Sequence, residues 1–124
     1  MARILIVDDD ELMRCMITDV LRGEGHECTP AGNVAEARNR LHAESFELTI
    51  SDFNMPSQTG LDLLRFVSSN SPSTSFILIS GNTDSSLRKK ALALGAVACV
   101  AKPFELQELL SNVECALRGP SCLH

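Results

Sequence analysis

Four aspartates, a serine and a lysine stand at the ends of short apolar segments. Asp8, Asp9 and Asp10 follow Ile4-Leu5-Ile6-Val7, and Asp52 follows Leu48-Thr49-Ile50-Ser51. Ser80 closes Phe76-Ile77-Leu78-Ile79, and Lys102 comes just after Ala96-Val97-Ala98-Cys99-Val100. Taken singly, these residues are unremarkable. An acidic triplet commonly opens a helix, and Asp10 suits that capping role. An aspartate before a loop is often a turn residue. Brought together, they would be a chemical site. Two carboxylates about 5 Å apart repel by roughly 3 kcal/mol at an effective dielectric of about 20. Three cannot all stay ionised in a cleft without a cation or a raised pKa. Hard oxygen donors that form an incomplete cage suit Mg²⁺, which keeps waters and bridges to phosphate oxygens. Such an ion would offset the repulsion between Asp52 and an anionic phosphoryl donor, leaving that carboxylate free to attack. Lys102 and the Ser80 hydroxyl could then hold the remaining oxygens of the transferred group.

Whether they meet depends on the elements that carry them. Ile4–Val7 reads as a strand buried on both faces. Leu12, Met13, Met16, Ile17, Val20 and Leu21 recur at helical spacing until Gly23 and Gly25 stop them. Glu27-Cys28-Thr29 is a weak second strand closed by Pro30, and Asn33 with Glu36 opens a helix carrying Val34, Ala37 and Leu41. The third strand, 48–51, leads into a loop from Asp52 to Gly60 that contains Pro56. Thr59 and Asp62 then make a capping-box pattern ahead of Leu61, Leu64 and Val67.

The second half repeats this alternation. Ser71-Pro72-Ser73 breaks the third helix, 75–80 is the fourth strand, and Gly81-Asn82-Thr83-Asp84 reads as a turn and cap. A helix with Leu87, Ala91 and Leu94 ends at Gly95. Ala96–Val100 is the fifth strand. Leu106, Leu109, Leu110, Val113 and Leu117 form the cleanest helical stripe, which Gly119-Pro120 ends.

Strands alternating with helices make a parallel sheet with helices on both faces. Right-handed crossovers put every strand's carboxyl end on one edge. With the second strand outermost and the first beside the third, the order is 2-1-3-4-5, and the switch point falls between strands one and three, where open α/β sheets bind ligands. The polar strand ends would meet there.

The 124 residues suit one domain, with a core over about 3–118 and a short tail, 119–124. Net charge is −5 and Trp and Tyr are absent, so the basic footprint and stacking platforms of a nucleic-acid binder are missing. Arg88-Lys89-Lys90 reads as a solvated helix face, and His26 and His42 as solvated histidines. No apolar run approaches the ~18 residues of a membrane span. The run at 4–7 is also shorter than a signal-peptide core of about 7–15. Five cysteines without a C-x-x-C pair fit reduced thiols of a cytoplasmic protein, although Cys122 near the terminus could join two chains on oxidation.

The set Val7-Asp8-Asp9, Ser51-Asp52-Phe53-Asn54-Met55-Pro56 with Gly60, Ile79-Ser80-Gly81 and Lys102-Pro103-Phe104 resembles the receiver domain of two-component response regulators, most nearly the stand-alone, chemotaxis-type receivers. The likeness runs from about Arg3 to Arg118. It implies a flavodoxin-like (βα)5 fold and a Mg²⁺-dependent transfer of phosphate from a histidine kinase or histidine phosphotransfer protein to Asp52. It further implies that Asp9 ligates Mg²⁺ directly, Asp8 partly through water, and Asn54 through its backbone carbonyl, with Asp52 sharing the ion. Lys102 would contact the phosphoryl group, the Lys102–Pro103 bond would be cis, and the hydroxyl of Ser80 would reorient on phosphorylation. The protein would be a phosphoacceptor rather than an enzyme in the usual sense. With no output domain in this chain, it would act on a downstream protein target through the face of the fourth helix, fifth strand and fifth helix.

The pattern has departures. Cys99, three residues before Lys102, stands where the family usually carries Tyr or Phe, so the usual relay from the hydroxyl residue lacks its aromatic member. Cys99 reads instead as a small core hydrophobe. Ser80 replaces the commoner Thr, Gln58-Thr59 replaces a frequent Met-Asp, and Gly81 leaves the phosphoryl position lightly shielded. A receiver-fold docking module that ignores phosphate is therefore the alternative reading. A phosphatase is disfavoured because Asp52-Phe53-Asn54 lacks a second acid to protonate a leaving group. An FMN-binding flavodoxin is disfavoured by the scarcity of aromatic side chains.

Overall fold

The computed structural model describes residues 2–55, 57–81 and 85–118. The turn and cap read at Asn82-Thr83-Asp84, the Pro56 position, the stop at Gly119-Pro120 and the tail with Cys122 lie outside those residues.

Strands β1 (Arg3–Val7), β2 (Glu27–Ala31), β3 (Leu48–Asp52), β4 (Ser75–Ser80) and β5 (Ala98–Ala101) alternate with helices α1 (Glu11–Gly23), α2 (Val34–Ala43), α3 (Gly60–Asn70), α4 (Ser85–Ala93) and α5 (Leu106–Arg118). The strands form one parallel sheet in the expected order β2-β1-β3-β4-β5.

Strand side chains point alternately to the two faces, and the residues obey that period. Leu5, Val7, Phe76 and Leu78 pack with Ala37 of α2, Leu64 of α3 and Leu87 of α4. Ile4, Ile6, Ile50, Ile77 and Ile79 pack with Ile17 and Leu21 of α1 and Leu109 and Val113 of α5. Each fully buried side chain of this kind contributes about 1.5–3 kcal/mol relative to exposure. With one aliphatic layer on each face, the polar ends are all that the sheet presents at its carboxyl edge.

Local signals behave as their chemistry dictates. Asp10 caps α1 by accepting from the Leu12 amide at 3.0 Å, and Asn33 caps α2 by accepting from the Glu36 amide at 2.7 Å. The Thr59/Asp62 capping box forms at α3. Gly95 after α4 adopts φ +112, a conformation open mainly to glycine.

Four expectations are corrected. The second strand does not close at Pro30 but runs through it to Ala31, because β2 is an edge strand, where a missing N–H costs no ladder bond on the solvent side. The fifth strand is shifted to 98–101. His26 is half-buried, its Nδ1 accepting from the Ala2 amide at 3.2 Å. Cys15, Cys28 and Cys99 are free thiols, whereas Cys115 is disulfide-bonded. Among the described residues, no helix is long and apolar enough to cross a membrane.

Candidate functional site

The carboxyl edge gathers three carboxylates. One ligand oxygen from each of Asp8, Asp9 and Asp52 lies within 4.8 Å of the others. Asp8 and Asp52 are only 2% and 6% exposed, while Asp9 sits exposed at the rim. The sheet register explains the meeting: Val7 at the end of β1 pairs with Ser51 of β3, so the residues that follow both emerge side by side.

Asp8 is fixed through three groups. Its amide donates to the Ala31 carbonyl at 3.1 Å, its carbonyl accepts from Arg14 Nη1 at 2.7 Å, and its Oδ1 accepts from the Asp10 amide at 2.9 Å. Burial pushes its carboxyl above the usual carboxylate range. The Asp10 amide pulls it down, the Asp52 carboxylate pushes it up, Lys102 lowers it and Asp9 raises it. Desolvation is the largest of these causes.

Asp52 faces Lys102, whose Nζ lies 3.2 Å from its Oδ1. The ammonium is within ion-pair distance but off a hydrogen-bonding direction, so this buried oxygen makes no hydrogen bond. Lys102 is placed by its own amide, which donates to the Ser80 carbonyl at 2.8 Å, and by a cis bond to Pro103. Ser80 is fully buried at the end of β4, one residue beyond Ile79, the partner of Asp52.

The loop after Asp52 is held shut by two backbone bonds, Phe53 N–H to the Ile79 carbonyl at 2.7 Å and Gly60 N–H to the Phe53 carbonyl at 2.8 Å. Asn54 is exposed within it. Gly60 permits the closure. A Cβ there would lie 2.5 Å from the Asp52 carbonyl oxygen and 2.7 Å from Leu78 Cδ1. A Cβ at Gly81, beside the site, would meet nothing within 4 Å.

Cys99 is half-buried against the core face shared by α2, α3 and α4, and burial pushes its thiol up despite a smaller opposing effect of Arg88. It fills space as a neutral hydrophobe. Its carbonyl accepts from Arg88 Nη1 at 3.1 Å. The other two cations of the Arg88-Lys89-Lys90 run are exposed as well. His42 is exposed and set edge-on to Phe66.

All five side chains expected at the site stand at this edge, and the carboxylates of Asp8, Asp9 and Asp52 with the Lys102 ammonium form its charged centre. With every group ionised, three carboxylates and one ammonium leave −2, the charge one divalent ion cancels. An oxygen-only donor set and a buried carboxylate oxygen without a hydrogen bond fit a hard cation. Sequence reasoning missed Arg14. Its place in α1 between Met13 and Cys15 carries no periodic or motif signal, and only the fold lays its guanidinium on the Asp8 carbonyl.

Comparison with known proteins agrees with this geometry. The family model described as response regulator receiver domain matches residues 4–114. The chain is 34% identical over 116 residues to the probable chemotaxis protein CheY of Rhizobium etli, covering 90% of this chain and 89% of that protein. It is 35% identical over 118 residues to the DNA-binding transcriptional regulator NtrC of Azospirillum brasilense, spanning 95% of this chain but only 24% of that regulator. The crystal structure of the response regulator protein TrrA from Thermotoga maritima, in complex with Mg²⁺-BeF, superposes with a TM-score of 0.85 at 29% identity, covering 94% of this chain and 100% of that one.

Proposed function

Because the chain belongs to the response regulator receiver domain family of two-component systems, we propose that it is a phosphorylation switch whose acceptor is Asp52. The observation that carries this reading is the Asp52 carboxylate, buried, short of hydrogen bonds and flanked by one cation and two further acids.

In this reading Asp8, Asp9, Asp52 and the backbone carbonyl of Asn54 would hold Mg²⁺, the ion named in the TrrA complex. When bound, the ion supplies positive charge that lets an anionic phosphoryl donor approach a carboxylate. An Asp52 oxygen attacks phosphorus, the new P–O bond forms as the donor's P–N bond breaks, and the donor's imidazole leaves with a proton. Lys102 turns from its ion pair with Asp52 toward the incoming oxygens, and the Ser80 hydroxyl donates to another. Asp8 and Asp9 would hold the ion beside the Asp52 carboxylate. The donor is a histidine kinase or histidine phosphotransfer protein of the cytoplasm. The output is a changed affinity for a protein target on the face of α4, β5 and α5, and neither nucleic acid nor membrane is contacted.

Incubation with Mg²⁺ and acetyl phosphate, followed by intact mass, tests the reading. Wild type gains one phosphoryl group and Asp52→Asn gains none. No gain in wild type overturns it in favour of a phosphate-independent docking module, the reading that Cys99 in place of the usual aromatic favours. The open space beside Gly81 adds a kinetic expectation. Gly81→Val shields the phosphoryl group from water and lengthens its lifetime, and an unchanged decay rate in a phosphate-release assay rejects that role for Gly81.

A further inference from the structure

We infer that Arg14 is a positioning residue for the cation site, acting through the peptide unit that joins Asp8 to Asp9. Its Nη1 donates to the Asp8 carbonyl at 2.7 Å in a partly buried setting, while the Asp8 amide is tied to the Ala31 carbonyl at 3.1 Å. A peptide unit is planar, so anchoring the carbonyl oxygen of residue 8 also orients the amide nitrogen of residue 9. That matters because the two aspartates are held very differently. The Asp8 carboxylate accepts from the Asp10 amide, whereas the Asp9 carboxylate makes no hydrogen bond among the described residues. With no bond on its carboxylate, the anchoring that reaches Asp9 comes through its backbone, which sets where its Cα–Cβ bond points. The guanidinium also lies along the turn after β2: a Cβ on Gly32 would sit 3.5 Å from Nη1, and the Gly32 amide donates to Glu36 Oε1 at 2.9 Å. The Arg14 side chain thus bonds the end of β1 and lies alongside the neighbouring β2–α2 turn. Outer-shell groups of this kind set the orientation of ligands they never replace.

The sign of the effect separates positioning from charge. Arg14 is a cation near a cation site, so as a charge alone it opposes Mg²⁺, and its removal tightens binding. As an anchor of the Asp9 direction, its removal weakens binding. Mg²⁺ titration calorimetry on the full chain without phosphodonor, beside thermal unfolding, decides. Arg14→Met keeps the aliphatic stem and is expected to weaken Mg²⁺ about tenfold. Arg14→Lys offers one point donor in place of the planar fork and loses about threefold. In an Asp9→Asn background the Arg14→Met step costs less than twofold, since the group it orients no longer carries charge. A folded Arg14→Met variant that binds Mg²⁺ as tightly as wild type, or more tightly, overturns the inference. If that variant does not fold, undiminished affinity in Arg14→Lys does the same. The inference rests on reading the acidic cluster as a Mg²⁺ site. Wild type that takes up no Mg²⁺ defeats that reading, whereas binding by wild type with unchanged variants defeats only the role of Arg14.

Discussion

The two edges of the sheet carry similar residues to opposite effect. At the amino edge Arg3 pairs with Glu44, lies 3.8 Å from Glu27 and stacks over Phe46 with its guanidinium 5.7 Å from the ring centre. Phe46 is buried and Glu44 half-buried, but the charges of the weaker pair are open to water, Arg3 at 46% and Glu27 at 71% exposed. Exposed pairs of this type contribute about 0–1 kcal/mol. At the carboxyl edge the acids outnumber the base, two of them are buried, and one oxygen is left without a hydrogen bond. Acid and base residues near a sheet end therefore do not mark a site. Burial combined with charge imbalance does, because only there does a missing cation have somewhere to act.

The sharpest break between the edges is chemical. Asp52→Asn abolishes phosphoryl uptake, whereas Arg3→Met leaves its rate within about twofold, both read by intact mass over time. Next comes packing. Gly60→Ala forces a Cβ against the Asp52 carbonyl oxygen and Leu78, costs about 1–3 kcal/mol in denaturant melts and weakens Mg²⁺ together with stability.

A smaller effect has the opposite sign. Burial holds the Asp8 carboxyl above its unfolded pKa, so the folded protein takes up that proton more readily than the unfolded chain does. That contribution to stability is complete below the unfolded pKa and is lost as pH rises through the folded one. At neutral pH and without Mg²⁺, Asp8→Asn accordingly raises stability by about 1 kcal/mol. The gain fades as pH falls through the raised folded pKa and is gone below the unfolded value of about 4. Saturating Mg²⁺ reverses it, because wild type then gains about 2.7 kcal/mol at 100 times the dissociation constant. The smallest effect belongs to the amino edge, where Arg3→Met changes stability by under about 1 kcal/mol. A stabilised Asp8→Asn beside an indifferent Arg3→Met sharpens the contrast; a destabilised Asp8→Asn without metal breaks it.

Much of this was legible in the residues themselves. Apolar runs of four to six residues, helical stripes and caps at Asp10, Asn33 and Thr59 are local signals, and alternation with right-handed crossover is enough to put strand ends on one edge. Hence Asp8, Asp9, Asp52, Ser80 and Lys102 could be named before any coordinates. Pro30 misled because its meaning depends on whether the strand is central or outermost, a property of the sheet rather than of the segment. His26 looked solvated because its partner, the Ala2 amide, is 24 residues away in the chain.

Sequence alone determined which residue types stand at the strand ends, since hydrophobic period and turn chemistry are written within a few neighbours. Tertiary structure decided what each does there. Asp8 and Asp9 are identical and adjacent, and their carboxylates converge on one place, yet one is buried and the other exposed, because the fold covers the first and leaves the second at the rim. Arg14 gained its part the same way, through a contact that only the packing of α1 against the end of β1 creates.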